Sequence, residues 1–126
     1  MAILSTFTPL SIALAAISIS TAALAQPAPP SFQGDPEVYK VIYEDQNFRI
    51  IESTRGVGVR DKPHGHPLPS VVYNLTDCQS RQYAADGKTT DNAVKAGVVT
   101  PLPIIASHAA ENTASTDCRQ LFIERK

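Results

Sequence analysis

From Met1 to Ala25 the chain carries no charged side chain, which removes the first stretch of a 126-residue protein from any soluble core. The segment runs through Ile12-Ala13-Leu14-Ala15-Ala16-Ile17 to the small residues Ala23-Leu24-Ala25, the pattern of a secretory leader cleaved before Gln26. The usual Lys or Arg near the start is absent, so only the amino terminus supplies positive charge. An uncleaved anchor is the alternative, disfavoured because the strongly apolar run is shorter than the ~20 residues a spanning helix needs. No Cys follows the cleavage site, so a lipid anchor is not indicated. The expected location is periplasmic or secreted, with no membrane attachment after cleavage. Residues 26–35 contain the Pro-rich run QPAPPSF and predict an extended linker, leaving residues 36–126 for one folded domain.

That domain is predicted to be all-β. Short runs of β-type residues, Tyr39 to Tyr43, Phe48 to Glu52, Ser70 to Leu75 and Arg119 to Glu124, are separated by Gly, Pro and Asp/Asn punctuation. No long helical period appears. Asp86-Gly87 suits a two-residue hairpin turn between Gln79–Tyr83 and Lys88–Val94. Several short strands in about ninety residues point to a sandwich or small barrel.

Charge excludes some partners. Lys plus Arg number 11 against 12 Asp plus Glu, and no basic cluster is present to neutralise phosphates, so a nucleic-acid partner is not expected. Cys78 and Cys118 would share an oxidising compartment after export, where they form either a bridge or a pair of unlinked thiols. A bridge would close a loop of about forty residues.

All three histidines carry potential chemistry. His64 and His66 flank Gly65, and in an extended segment residues i and i+2 point to one side, so both imidazoles can reach one ion. Two imidazoles make a weak site, and a third ligand must come from elsewhere.

The flanking pattern resembles the cupin superfamily. The first cupin motif, G-x5-H-x-H-x3,4-E-x6-G, is matched by Gly58, His64 and His66. The second, G-x5-P-x-G-x2-H-x3-N, is matched by Gly97, Pro103, His108 and Asn112. The resemblance covers about Tyr39 to Lys126 and implies a small cupin β-barrel, a double-stranded β-helix of jelly-roll type, that often pairs as a homodimer. It implies that His64, His66 and His108 hold one divalent metal ion. Two departures stand out. The motif glutamate is replaced by Ser70 or Val71, and parity makes Ser70 the residue facing the ion; Asp77 and Ile105 stand where two glycines are usual.

Without the glutamate, three neutral imidazoles leave the ion its full charge, which favours a small anionic partner. Imidazole suits Zn, Fe, Mn, Cu or Ni, and geometry does not choose among them. Ser70 is either a pocket hydroxyl or a filler, and Asn112 either a strand-end hydrogen-bonding residue or a substrate contact. Tyr73 and Glu111 are explained as well by surface positions. Asn74-Leu75-Thr76 matches a glycosylation sequon. Glu52 and Arg60 are weak candidates for acid or base groups behind the ligands. The run His66-Pro67-x-x-Ser70-Val71-Val72-Tyr73, with Asp86-Gly87-Lys88-Thr89 and Glu111-Asn112, looks like small stand-alone cupins labelled β-alanine-degradation proteins. Two functions follow: a metal-dependent oxygenase, isomerase or lyase acting on a small organic acid, or a non-catalytic small-molecule binder, with or without metal.

Overall fold

A computed structural model describes residues 26–126; the expected leader, residues 1–25, lies outside them. Alternation of apolar and polar residues produces the strands. In β2 (Phe48–Arg55) Ile51, Ser53 and Arg55 are buried, while β4 (Ser70–Asn74) buries Ser70, Val72 and Asn74. The period of two sends these side chains to one face.

The remaining strands are β1 (Tyr39–Glu44), β3 (His64–His66), β5 (Cys78–Ala84), β6 (Thr89–Val94), β7 (Val99–Leu102), β8 (Ile105–Asn112) and β9 (Cys118–Arg125). They form a five-stranded sheet, β1-β2-β9-β4-β7, and a four-stranded sheet, β3-β8-β5-β6. Every pairing between these strands is antiparallel. The expected all-β barrel is the observed architecture, and the four expected strands fall within β1, β2, β4 and β9, Leu75 lying one residue past β4.

The expected hairpin joins β5 and β6, but its turn differs from the two-residue form. Gly87 N donates to Ala84 O at 2.9 Å and Ala84 N to Lys88 O at 2.9 Å. Gly87 alone takes the left-handed conformation, at φ 86°, whereas a two-residue turn of the expected type needs it at Asp86 as well. A three-residue loop ending in a left-handed glycine satisfies the strand twist with one such residue.

The apolar core is small: Val38, Tyr39, Ile51, Val72 and Phe122, with Phe32 and Leu102 packed against it. Ile51 and Val72 are both register partners of Phe122, so three adjacent strands meet there. Each such side chain contributes about 1.5–3 kcal/mol by leaving water. Among the described residues, buried polar side chains outnumber buried apolar ones, so this interior is built around polar groups rather than filled with hydrocarbon.

Residues 26–35 do not hang free as a linker does. Pro30 forms a bridge with Gly65, a short helix α1 (Ser31–Gly34) follows, and Ser31 and Asp35 are buried. Phe32 reaches the core and carries the Arg49 guanidinium over its ring at 4.6 Å.

Cys78 and Cys118 are joined, with Cα atoms 5.0 Å apart, tying the start of β5 in one sheet to the start of β9 in the other. With a sequence separation of 40, the bridge stabilises by about 4 kcal/mol through the unfolded chain. Reducing it, or replacing both cysteines by serine, is expected to lower the unfolding free energy by that amount in urea titrations.

Candidate metal centre

β3 carries His64 and His66, and β8 carries His108 directly opposite His64 in the ladder. The register slips between His64 and His66, whose partners are His108 and Ile105, so β8 bulges beside the pair. A bulge re-aims side chains locally. The His66 Nε2 atom lies 3.2 Å from His64 Nε2 and 3.1 Å from His108 Nε2. All three residues offer ligand atoms within 4.8 Å of one another.

These spacings fit one ion. With bonds of about 2.0–2.1 Å, two nitrogens stand about 2.9 Å apart at a right angle and about 3.4 Å apart at a tetrahedral angle. The observed distances fall between the two. His64 Nδ1 donates to Lys62 O at 2.8 Å, which fixes the tautomer and turns the Nε2 lone pair toward the other rings. His66 Nδ1 is buried with no hydrogen-bond partner among the described residues, so none of them satisfies this ring from behind. Lone pairs gathered this closely repel unless a proton or a cation lies between them.

A neutral ring can place an Nε2 proton in only one of the two contacts that His66 makes, and filling both needs an imidazolium. Burial, reinforced by His64, His108 and the Arg55 charge, pushes the His66 imidazole down to about 3. Burial, with His64 and Arg55, pushes His108 down to about 4. Both rings stay neutral and open to a metal at ordinary pH.

In the metal-free protein these imidazoles bind protons less readily than in the unfolded chain, where the usual value is about 6.5. Stability is therefore complete above about pH 6.5 and falls as pH drops through the folded values near 4 and 3. Glu124, whose carboxyl burial raises, acts in the opposite sense. The difference in urea midpoint between the unaltered chain and His66→Phe, compared at pH 7.5 and pH 5, isolates the imidazole contribution. That difference is expected to shift against the unaltered chain at pH 5.

A buried network stands behind the rings. Asp61 accepts from the Tyr39 hydroxyl at 2.7 Å and from Ala110 N at 2.6 Å. It pairs with Arg55 Nε at 3.2 Å and approaches His64 Nδ1 at 3.8 Å. Burial raises the Tyr39 phenol above its ordinary range, so it remains a donor. The Tyr39 ring packs on His64 with centroids 4.8 Å apart, and His66 stacks on Phe122 at 5.3 Å. Arg55 Nη2 donates to Gln120 Oε1 at 3.0 Å, and Gln120 Nε2 to Asn74 Oδ1 at 2.8 Å.

His66, His108, Tyr39 and Arg55 line one part of a cavity of about 530 Å³ between the sheets. Val72, Leu102 and Phe122 form an apolar wall, while Ser80, Gln82, Thr90 and Asn92 form a polar one. No carboxylate is among the lining residues.

The other expected site residues fall elsewhere. Ser70 is buried as its parity requires, but its hydroxyl donates to Leu68 O at 2.9 Å and Val72 takes the place on the cavity wall. Asn112 Nδ2 donates to the carbonyls of Arg55, Gly56 and Thr116, and its Oδ1 accepts from Ala114 N. That fully engaged amide holds the β8 end to two loops. Glu52 pairs with Arg119 at 2.6 Å, and Arg60 lies over the Tyr83 ring. Glu111 accepts from the Tyr83 hydroxyl, and Tyr73 is exposed. Asn74 is wholly buried, so its sequon offers no accessible amide. Asp77, in place of a motif glycine, accepts from Ala96 N and pairs with Lys95, tying down the turn after β6.

Sequence reasoning missed Arg55, Asp61 and Tyr39 as site residues. The available signal was a charged residue at the inward parity of β2, two positions on from Ser53 and four from Ile51.

Comparison with known proteins agrees with this architecture. No family model matches the chain, and no curated protein matches it. Among solved structures, a cupin domain from Bordetella pertussis Tohama I aligns at 19% identity and TM-score 0.65, covering 81% of this chain and 99% of its own. An RmlC-like cupin family protein with a double-stranded β-helix fold from Methanocaldococcus jannaschii aligns at 11% identity and TM-score 0.56, covering 70% and 78%. The polyketide cyclase RemF from Streptomyces resistomycificus aligns at 19% identity and TM-score 0.54, covering 77% and 68%. The fold is the double-stranded β-helix of these cupin structures, and in this chain it carries a three-histidine cluster close enough to bind a metal.

Proposed function

We propose that the domain holds one divalent metal ion through His64, His66 and His108 and uses it to bind a small organic anion, as an oxygenase, isomerase or lyase. The observation that carries this reading is the meeting of three imidazole ligand atoms beside a cavity whose lining includes a buried guanidinium and no carboxylate. A bound metal would supply Lewis acidity and open coordination positions. Arg55, held by Asp61 and Gln120, would draw in an anionic group and orient it. The Val72, Leu102 and Phe122 wall would exclude water from one side of the ligand.

A non-catalytic binding role is the second reading. Its support is the shortage of proton-transfer groups: the cavity lining has no carboxylate, and the Tyr39 hydroxyl is committed to Asp61. Export to an oxidising compartment is supported by the Cys78–Cys118 bridge.

Elemental analysis of protein from its native compartment tests the metal reading. Near-stoichiometric metal is expected; none, with no uptake on reconstitution, rejects it. Oxygen uptake and product analysis with a panel of small carboxylates then separate enzyme from binder. Arg55→Lys keeps the charge facing Asp61 but loses the planar fork, and is expected to weaken carboxylate binding about tenfold in calorimetric titration, with metal content retained.

A further inference from the structure

The segment expected to be a linker grips the strand that carries two of the histidines. β3 is the edge strand of its sheet, and its outer side is covered by residues 28–30. Gly65 N donates to Pro29 O at 2.8 Å, and Ala28 N donates to Ala106 O at 3.0 Å. Ala106 lies in β8, inside the register slip opposite His64 and His66, so the clamp spans both strands of the site. A Cβ on Gly65 would meet Ala106 O at 2.9 Å and Ala28 O at 3.1 Å, both backbone atoms. At the far end of the segment, buried Asp35 accepts from Lys62 N at 2.9 Å. The carbonyl of the same Lys62 accepts from His64 Nδ1 and sets that ring's orientation.

We propose that Ala28–Asp35 is a positioning clamp for the metal centre, gripping β3 from outside so that His64 and His66 are held ready for the ion. The proposal rests on the three-histidine reading. It places no ligand in the clamp: the segment acts through Gly65, Lys62 and the bulged part of β8. By linkage, a clamp that strengthens metal binding is itself strengthened by metal.

The test uses the full chain and zinc alone. Ala28→Pro deletes the N–H that reaches Ala106, in a run already rich in proline, and Asp35→Ala deletes the acceptor for Lys62 N. Each is expected to raise the zinc Kd by 10- to 100-fold in chelator competition, the range typical of groups that orient ligands. In the unaltered protein, zinc at ten times its Kd should slow hydrogen exchange at the Ala28 and Gly65 amides by about tenfold. This readout holds even if a variant fails to fold, and slowing greater than that of the β5–β6 ladder amides separates the clamp from the general stabilisation any bound metal gives. Unchanged zinc affinity in both folded variants, or exchange at these amides indifferent to zinc, overturns the clamp while leaving the metal centre standing. Absence of zinc binding by the unaltered chain overturns both.

Discussion

Asp61→Ala is expected to destabilise the metal-free domain by about 3–5 kcal/mol, read as a fall in the urea midpoint. Asp61 is fully buried and serves three partners: the Tyr39 hydroxyl, Ala110 N–H and the Arg55 guanidinium. Its loss leaves a positive charge and two donors with no acceptor in a place water reaches poorly. Domains of this kind are stable by only about 5–15 kcal/mol, so the variant should be close to unfolding at 37 °C. Asp61→Asn, which keeps the shape but not the charge, should fall between the two.

His66→Ala is expected to have the second large effect, on metal rather than on folding. A structural zinc site of four ligands contributes about 10–16 kcal/mol, or roughly 2.5–4 kcal/mol per ligand. Loss of one imidazole should therefore weaken zinc binding by about two to three powers of ten, measured by chelator competition. The β-sheet circular dichroism signal should persist, because His66 Nδ1 has no hydrogen-bond partner to lose.

The parts of this fold that were legible in the sequence are those where one face of a strand is buried and the other wet. β2, β4 and β9 show that alternation in Ile51, Val72 and Phe122. β8 was not legible, because IASHAAEN pairs small residues with a bulge and lacks a β-branched rhythm. β6, TTDNAV, is polar on both faces since its inner side borders a cavity rather than hydrocarbon, and it was legible through the Asp86-Gly87 turn instead of through alternation. β3 spans only His64–His66, too short for any period to register.

The three histidines were legible because their spacings repeat a known motif. Their supporting network was not. Tyr39 meets Asp61 across 22 residues, and Asp61 meets Ala110 across 49, distances at which local pattern carries no information. The prolines misled for a physical reason. Pro29 and Pro30 cannot donate to a ladder, which argues against a strand, yet the Pro29 carbonyl can still accept from Gly65 at a sheet edge.

X-ray absorption spectroscopy of the zinc-loaded protein shows whether the three histidines share one ion. One zinc per chain is expected, with three imidazole nitrogens at about 2.0–2.1 Å, and a loss of imidazole scattering in His108→Ala. Zinc bound with no imidazole in its shell, or a shell identical in His108→Ala, would contradict the three-histidine site.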